Sequence, residues 1–149
     1  MGADTSATHM IFFVAAMIIA SGVVSVVFIN TNAMMEASRE GVSTVSEQIK
    51  TDITIINDPS NIPQNGDVYT FYVKNIGKSD LAFDQVTVLI DGDVILNNDL
   101  NKTIIGGNTT WYPSDVLQLD VTYASMPAGD NTIKVITENG IDDSLEFHI

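Results

Sequence analysis

Apolar residues are concentrated in one unbroken stretch near the N-terminus, from Met10 to Ile29. These twenty residues contain no charge and no proline, and no polar stripe runs along them. A helix that rises about 1.5 Å per residue would span about 30 Å over this length, which is the thickness of the hydrocarbon core of a bilayer. The pattern predicts a transmembrane helix over 10–29 with membrane lipid as its partner, preceded by a short N-terminal tail over 1–9.

A cleavable secretory signal is the main alternative for this stretch. Such a signal has a basic region followed by an apolar core of about 7–15 residues. Residues 1–9 contain no Lys or Arg, and the apolar run is longer than that core. We therefore expect the stretch to be retained as an anchor.

Helical patterning continues beyond the apolar stretch. The segment 30–50 contains no proline, and its apolar residues recur with a period close to 3.5, which predicts a helical stalk. The residues of this seam are Met35, Val42, Val45 and Ile49. The seam either packs against partner helices or lies on the chain's own domain. Two pairs of small residues at four-residue spacing within the span also favour close helix contact. They are Ala16 with Ala20 and Ser21 with Ser25.

The pattern changes from helix to strand at residues 55–67. Pro59 and Pro63 are incompatible with a continuing helix, and short β-rich runs separated by turn residues follow. Asp91-Gly92 lies between two apolar runs, which predicts a β-hairpin. The predicted strands are 51–56, 68–75, 85–91, 93–97, 109–112, 116–123, 131–137 and 144–149.

Strands of this number and spacing are typical of an antiparallel sandwich of immunoglobulin-like type. We therefore predict an α+β chain by segments: a long N-terminal transmembrane and stalk helix, then an all-β sandwich domain over 51–149. Trp111 is the single tryptophan and a candidate for the centre of the sandwich core.

Composition narrows the classes of function. The formal net charge is −13 at pH 7, so nucleic acid would be repelled and is excluded as a partner. The chain contains no cysteine, which excludes disulfides, thiolate nucleophiles and cysteine-ligated zinc. Hydrophobic residues make up 45% of the chain, enough for a packed core.

The search for catalytic or metal-binding patterns yields no site. His9 and His148 are far apart in sequence, so no catalytic triad is indicated. Asp91 and Asp93 resemble the start of a calcium loop, but the ligand spacing that should follow is missing. The acidic group Asp142, Asp143 and Glu146 fits a solvated turn and strand edge. We predict no enzymatic activity, no catalytic residue, no metal and no cofactor.

Two features bear on the location of the sandwich. Asn101 and Asn108 each begin an N-glycosylation sequon, and we expect both to lie in one loop region. Basic residues that follow the span, Arg39 and Lys50, would place the C-terminal side in the cytoplasm by the positive-inside rule. The two sides of the span differ by only one or two basic residues, so we base the predicted side of the sandwich on the sequons and the acidic surface instead. We expect the sandwich on the outer side of a single-pass membrane anchor.

Four segments resemble the archaeal FlaG family of the archaellum, the archaeal flagellum. They are "THMIFFVAAMIIASGVVSVV" (8–27), "QIKTDITIINDP" (48–59), "YTFYVKNIGKSDLAFDQVTVLIDG" (69–92) and "TWYPSDVLQLDV" (110–121). The resemblance covers essentially the whole chain. It implies a membrane-anchored, non-catalytic stator component that works with a FlaF-type sister protein, links the motor to the surface layer and self-assembles into oligomers or filaments.

Two alternatives remain. An archaellin or pilin-like filament subunit would carry a basic residue and a glycine just before the apolar run, and positions 1–9 lack that pair. An anchored ligand-binding module would need clustered aromatic residues, and the adjacent residues Trp111 and Tyr112 are the candidate pair.

Overall fold

The computed structural model describes the backbone of residues 2–149 and the side chains of residues 6–149. Met1, the first residue of the predicted tail, lies outside the described residues. The chain divides into two compact units, Met1–Ser43 and Thr44–Ile149. The boundary falls within the segment 30–50, so the last two turns of the N-terminal helix belong to the second unit.

One uninterrupted helix, α1, runs from Gly2 to Lys50. This confirms that the helix continues beyond the apolar stretch. The side chains from Met10 to Ile29 are exposed, and the helix is long and apolar enough to cross a membrane. The Ser21 hydroxyl donates to the Ile18 carbonyl (2.9 Å) and the Ser25 hydroxyl to the Ser21 carbonyl (2.8 Å). Because both hydroxyls are satisfied within the helix, they are compatible with a hydrocarbon environment.

The rest of the chain forms two antiparallel sheets. The strands are β1 (Ile53–Ile55), β2 (Gln64–Asn65), β3 (Val68–Asn75), β4 (Thr87–Ile90), β5 (Asp93–Val94), β6 (Leu100–Ile104), β7 (Val116–Thr122), β8 (Asp130–Ile136) and β9 (Asp142–His148). The first sheet has the order β1-β3-β7-β6, with β2 also paired to β3, and the second has the order β5-β4-β8-β9. A short 3-10 helix, Phe83–Gln85, precedes β4.

A single hydrophobic core lies between the two sheets. Buried and half-buried positions alternate along β3 and β7, as expected for strands with one face on a core. Phe71 of the first sheet meets Phe147 of the second edge to face, with ring centroids 5.2 Å apart. Trp111 is the largest of the fully buried side chains. The predicted fold class, a long helix followed by an immunoglobulin-like antiparallel sandwich, is confirmed.

The predicted hairpin at Asp91-Gly92 is also confirmed. Ile90 pairs with Asp93, which leaves a two-residue turn between β4 and β5. Both turn residues have positive φ, 52° for Asp91 and 91° for Gly92. This is the backbone that a type I′ turn requires, and Asp-Gly adopts it readily.

Three strand predictions need correction. Residues 109–112 do not form a strand; Trp111 makes only an isolated bridge with Leu81. The strand predicted over 93–97 is limited to Asp93–Val94. Conversely, Leu100–Ile104 was expected in a loop but forms β6, paired with β7 along its whole length. Asn101 and Asn108 therefore do not share a loop, since Asn101 lies within β6.

Side chains close the open edges of the sandwich. On one side, the carboxylate of Asp143 accepts a hydrogen bond from the Ile55 amide (2.8 Å), which joins β9 to β1. On the other, the Lys102 ammonium donates to the carbonyls of Asp84 (2.8 Å) and Val86 (2.6 Å). Burial lowers the pKa of Lys102, although the charge of Asp84 acts in the opposite direction. A lysine on an edge strand disfavours pairing with other chains.

Candidate functional site at the helix end

Three segments meet where α1 ends: 47–52, the loop 75–79 after β3, and the turn 137–141 between β8 and β9. We call this group the junction; all of it belongs to the unit Thr44–Ile149. Thr51 is buried, its amide bonds the Glu47 carbonyl at 3.0 Å, and its hydroxyl donates to the same carbonyl at 2.9 Å. The helical hydrogen-bonding pattern therefore extends to Thr51, two residues before β1 begins.

The loop after β3 satisfies backbone groups at the helix end. The Lys78 amide donates to the Lys50 carbonyl at 2.7 Å, one of the last helical carbonyls, which lack partners within a helix. The amides of Ile76 and Gly77 both donate to the Asp52 carbonyl, at 3.0 and 2.9 Å. A Cβ on Gly77 would lie 2.5 Å from the Lys50 carbonyl oxygen, so this close approach requires glycine.

Asn75 fixes the shape of that loop. Its side chain is fully buried and donates to the carbonyls of Ser79 (2.9 Å) and Trp111 (3.1 Å), while its Oδ1 accepts from the Gly77 amide (3.0 Å). Ser79 in turn donates from its hydroxyl to the Glu47 carboxylate at 3.0 Å. The loop is thereby connected both to the core at Trp111 and to the helix.

The second sheet holds the helix end from the β8–β9 turn. Gln48 Nε2 donates to the Asn139 carbonyl at 3.0 Å, and Asn139 Nδ2 donates to the Thr51 hydroxyl at 2.6 Å. Thr137 orients Asn139 by donating from its hydroxyl to Asn139 Oδ1 at 2.7 Å. The helix end is therefore hydrogen-bonded to both sheets of the sandwich.

The chemistry of the junction is that of a structural attachment. The side chains that make the hydrogen bonds described above carry amides, hydroxyls and the Glu47 carboxylate. Displacing the helix end would break bonds to the loop after β3 and to the turn after β8 together. The arrangement can transmit load between a helix and a sandwich.

A family model for archaeal-type flagellin matches residues 3–147. The chain belongs to the archaeal-type flagellin family. A protein of Methanocaldococcus jannaschii assigned as flagella-related protein G is 31% identical over 152 residues, covering 99% of this chain and 97% of that protein. A protein of Methanococcus voltae with the same assignment is 30% identical over 140 residues, covering 90% of each. The resemblance to the archaeal FlaG family, whose members are flagella-related proteins G, is therefore confirmed.

Two solved structures are also similar to this chain. The archaellum periplasmic stator protein FlaG from Sulfolobus acidocaldarius matches with a TM-score of 0.48 and 18% identity, covering 65% of this chain and 99% of that one. The complex of the stator proteins FlaF and FlaG from the same organism matches with a TM-score of 0.47 and 17% identity, covering 64% and 87%.

The helix-association candidates of this family member are all exposed. The seam residues have at least half of their surface accessible: Met35, Val42, Val45 and Ile49. The small residues of the span are exposed as well: Ala16, Ala20, Ser21 and Ser25. These side chains are available to lipid or to another helix, and their role in association remains a prediction.

The aromatic pair considered for ligand binding is split between core and surface. Trp111 is fully buried and donates from its indole nitrogen to the Asp115 carbonyl at 3.0 Å, whereas Tyr112 is 45% exposed. The two rings therefore do not form a joint exposed platform.

Acidic groups singled out in the sequence have structural partners. Asp91 Oδ1 accepts from the Thr132 amide at 2.7 Å, and Asp142 pairs with Lys134 at 2.9 Å. His148 lies 2.9 Å from Asp130 at the exposed end of β9. The described side chains include no group of three or more His, Asp or Glu arranged to hold a metal ion.

The sequence did not point to the junction. Its key contacts join residues far apart in the chain, such as Gln48 with Asn139, and its members are polar residues without periodicity. The available signals were Gly77 and Asn75 at the end of a strand pattern, and they indicated no more than a turn.

Proposed function

We propose that this chain is a non-enzymatic structural component of the archaellum, a membrane-anchored protein of stator type. In this proposal residues 10–29 cross the membrane once, residues 30–50 form a stalk, and the sandwich lies on the outer side. The chain resists motor load and does not process a substrate.

The anchor part of the proposal is supported by the exposed apolar surface of α1 between Met10 and Ile29. Val, Ile and Phe each favour membrane insertion by roughly 0.3–0.6 kcal/mol at the centre of a span. The net charge of −13 would oppose binding to anionic headgroups, so apolar insertion is the consistent mode of attachment.

The observation that carries the proposal is the junction. A stator must oppose motion instead of following it, which needs a stiff connection between the anchor and the body that meets the cell wall. Here α1 is unbroken from Gly2 to Lys50, and its last turns are hydrogen-bonded to both sheets. A catalytic or ligand-binding module would not need the last turns of a helix to be hydrogen-bonded to it in this way.

The proposed partners follow from the family resemblance. They are a FlaF-type sister protein, the surface layer and further copies of this chain, assembled as a homo-oligomer or filament. The exposed seam of the stalk offers one surface for such assembly.

A filament subunit is the second candidate, and the name of the matching family, archaeal-type flagellin, favours it. The two curated relatives are assigned as flagella-related protein G, which favours the stator-type role. Mass spectrometry of sheared, purified archaella distinguishes the two. A major subunit would dominate that fraction, whereas we expect this chain to stay with the cell membrane.

The test of load transmission uses two matched variants of equal length. In one, residues 40–44 become Gly-Ser-Gly-Ser-Gly; in the other they become five alanines. Each Gly costs a helix interior about 1 kcal/mol relative to Ala, so the first variant should interrupt α1 and the second should not. We expect the flexible variant to lose swimming at a normal membrane level and the alanine variant to keep it. Equal swimming of both variants would refute the proposed mechanical role.

A further inference from the structure

The two N-glycosylation sequons lie in different environments, since Asn101 is in a strand and Asn108 is in a loop. We propose that Asn108, and not Asn101, is the N-glycosylation site of this chain. The inference rests on the proposed function in one respect, since it requires the sandwich to lie on the side of the membrane where glycan transfer takes place.

Asn101 is held within a sheet. It lies in β6 opposite Asp120 of β7, between the buried residues Leu100 and Ile104. Lys102, the middle residue of this sequon, is fixed by hydrogen bonds from its ammonium to the carbonyls of Asp84 and Val86. A transferase must bind Asn101 and Thr103 in its own cleft, and it could do so only by pulling β6 away from β7. The folded chain therefore withholds this sequon although its asparagine side chain is exposed.

Asn108 lies in a loop that leaves the body of the sandwich. Residues 105–109 are all exposed, and none of them belongs to a strand. Gly106 and Gly107 have φ of 107° and 79°, conformations that turn the chain immediately before the acceptor. Asn108 Nδ2 donates to the Asp115 carboxylate at 2.8 Å, but this bond is on the surface and water can replace it at little cost. The acceptor amide is thus available without unfolding, as glycosylated surface loops require.

The transfer needs a glycan donor linked to a membrane lipid through a phosphate. Asn108 Nδ2 forms a bond to C1 of the first sugar, while the bond from C1 to the phosphate oxygen breaks. The lipid phosphate leaves with the electron pair of that bond, and the amide gives one proton to a base of the transferase. No oxidation or reduction is involved.

The experiment uses the full-length chain isolated from the membranes of an archaeal host that N-glycosylates its own surface proteins. Peptide mass mapping determines glycan occupancy at both asparagines in wild type and in N101Q, N108Q, T110A and T110S. We expect glycan on Asn108 in wild type, N101Q and T110S, and loss of more than about nine-tenths of it in N108Q and T110A. The matched pair at Thr110 separates loss of the sequon from loss of the fold, because serine also completes a sequon.

Glycan on Asn101, alone or together with Asn108, would overturn the inference, and so would an unmodified Asn108. Protease treatment of intact cells separates that last result from failure of the proposed function. If the sandwich is accessible to protease and Asn108 is unmodified, the result contradicts only the assignment of Asn108 as the glycosylation site. If the sandwich is protected from protease, the result also contradicts its proposed location on the outer side of the membrane. Thermal unfolding of each variant, compared with wild type, verifies that the substitutions leave the sandwich folded.

Discussion

Gly77 lies where the loop after β3 approaches the backbone at the helix end closely. A Cβ there would lie 2.5 Å from the Lys50 carbonyl oxygen and 2.6 Å from the Asp52 amide nitrogen, distances that real Cβ atoms do not adopt. Both neighbours are backbone atoms, so relief requires a shift of the loop or of the helix end. We expect G77A to lower the free energy of unfolding of a fragment covering 44–149 by about 1–3 kcal/mol in urea titrations.

Gly140 supplies the control for Gly77. It lies in the junction turn with a φ of 81°, but nothing would come within 4 Å of an added Cβ. The cost of G140A should therefore be limited to the left-handed backbone, about 1–2 kcal/mol. The amides of Ile76, Gly77 and Lys78 donate to the carbonyls of Asp52 and Lys50. Because G77A, unlike G140A, disturbs these bonds, it alone should lower the hydrogen-exchange protection of the amides in the loop 76–78. Unchanged protection in G77A would contradict the close-approach argument.

Lys102 explains why β6 could not be predicted from the sequence. Leu100 and Ile104 point inward and are buried, so Lys102 occupies the inward position between them. A strand is predicted from alternating apolar and polar residues. Because Lys102 is charged but occupies a position where this alternation requires an apolar residue, the strand pattern is not visible in the sequence. Its stem packs along the core edge and its ammonium reaches the carbonyls after Phe83, an arrangement that depends on chain far away in sequence.

At the scale of elements, the last turns of α1 belong to the sandwich. Gln48 and Thr51 both bond Asn139, and Glu47 bonds Ser79. A fragment starting at residue 52 loses these bonds and leaves Asn139 Nδ2 without its acceptor. Each of these lost hydrogen bonds contributes about 0.5–1.5 kcal/mol net, which predicts a modest loss of stability in the shorter fragment. We expect the fragment 44–149 to be more stable than 52–149 by about 1–3 kcal/mol in urea unfolding.

Neighbouring positions on the same helical turn provide the matched test. Q48A in the 44–149 fragment should lose part of that gain, whereas I49A should be neutral, since Ile49 is 80% exposed. Both changes place alanine in a helix, so helix propensity cannot account for a difference. Equal stability of the fragments 44–149 and 52–149 would mean that the helix end does not contribute to the free energy of unfolding of the sandwich.

Elements whose cause is local were predictable, and elements whose cause is distant were not. The apolar run and the stalk pattern predict α1, and Asp91-Gly92 predicts its hairpin, because period and turn chemistry are properties of neighbouring residues. Residues 109–112 carry β-favouring side chains, yet Trp111 is placed by Leu81, Asn75 and the core and not by a strand partner. The bonds that join the helix end to the loop after β3 and to the β8–β9 turn are of the distant kind.

At the scale of the whole molecule, charge and apolar surface are divided along the sequence. The stretch from Met10 to Ile29 has no charge, while the complete chain carries 19 acidic and 6 basic side chains. An acidic chain cannot be held on an anionic membrane surface by charge, and high salt would weaken any such attraction further. The proposed membrane attachment therefore depends on the apolar helix, and this dependence predicts how the protein should behave during extraction.

We expect the wild-type chain to remain with membranes through washes in 1 M salt and at high pH, and to be released by detergent. Replacing Ile18 and Ile19 by lysine places two charges near the middle of the span and should raise the insertion free energy by roughly 6–8 kcal/mol. That double variant should appear in the soluble fraction or be degraded, whereas replacement of the same two residues by leucine should leave membrane attachment unchanged. Release of wild type by salt alone would mean that the helix lies at an interface or a protein surface. A difference in swimming between the glycine-serine and alanine variants of residues 40–44 could then not be explained by stalk stiffness, because a helix that is not inserted in the membrane could not hold the sandwich in place.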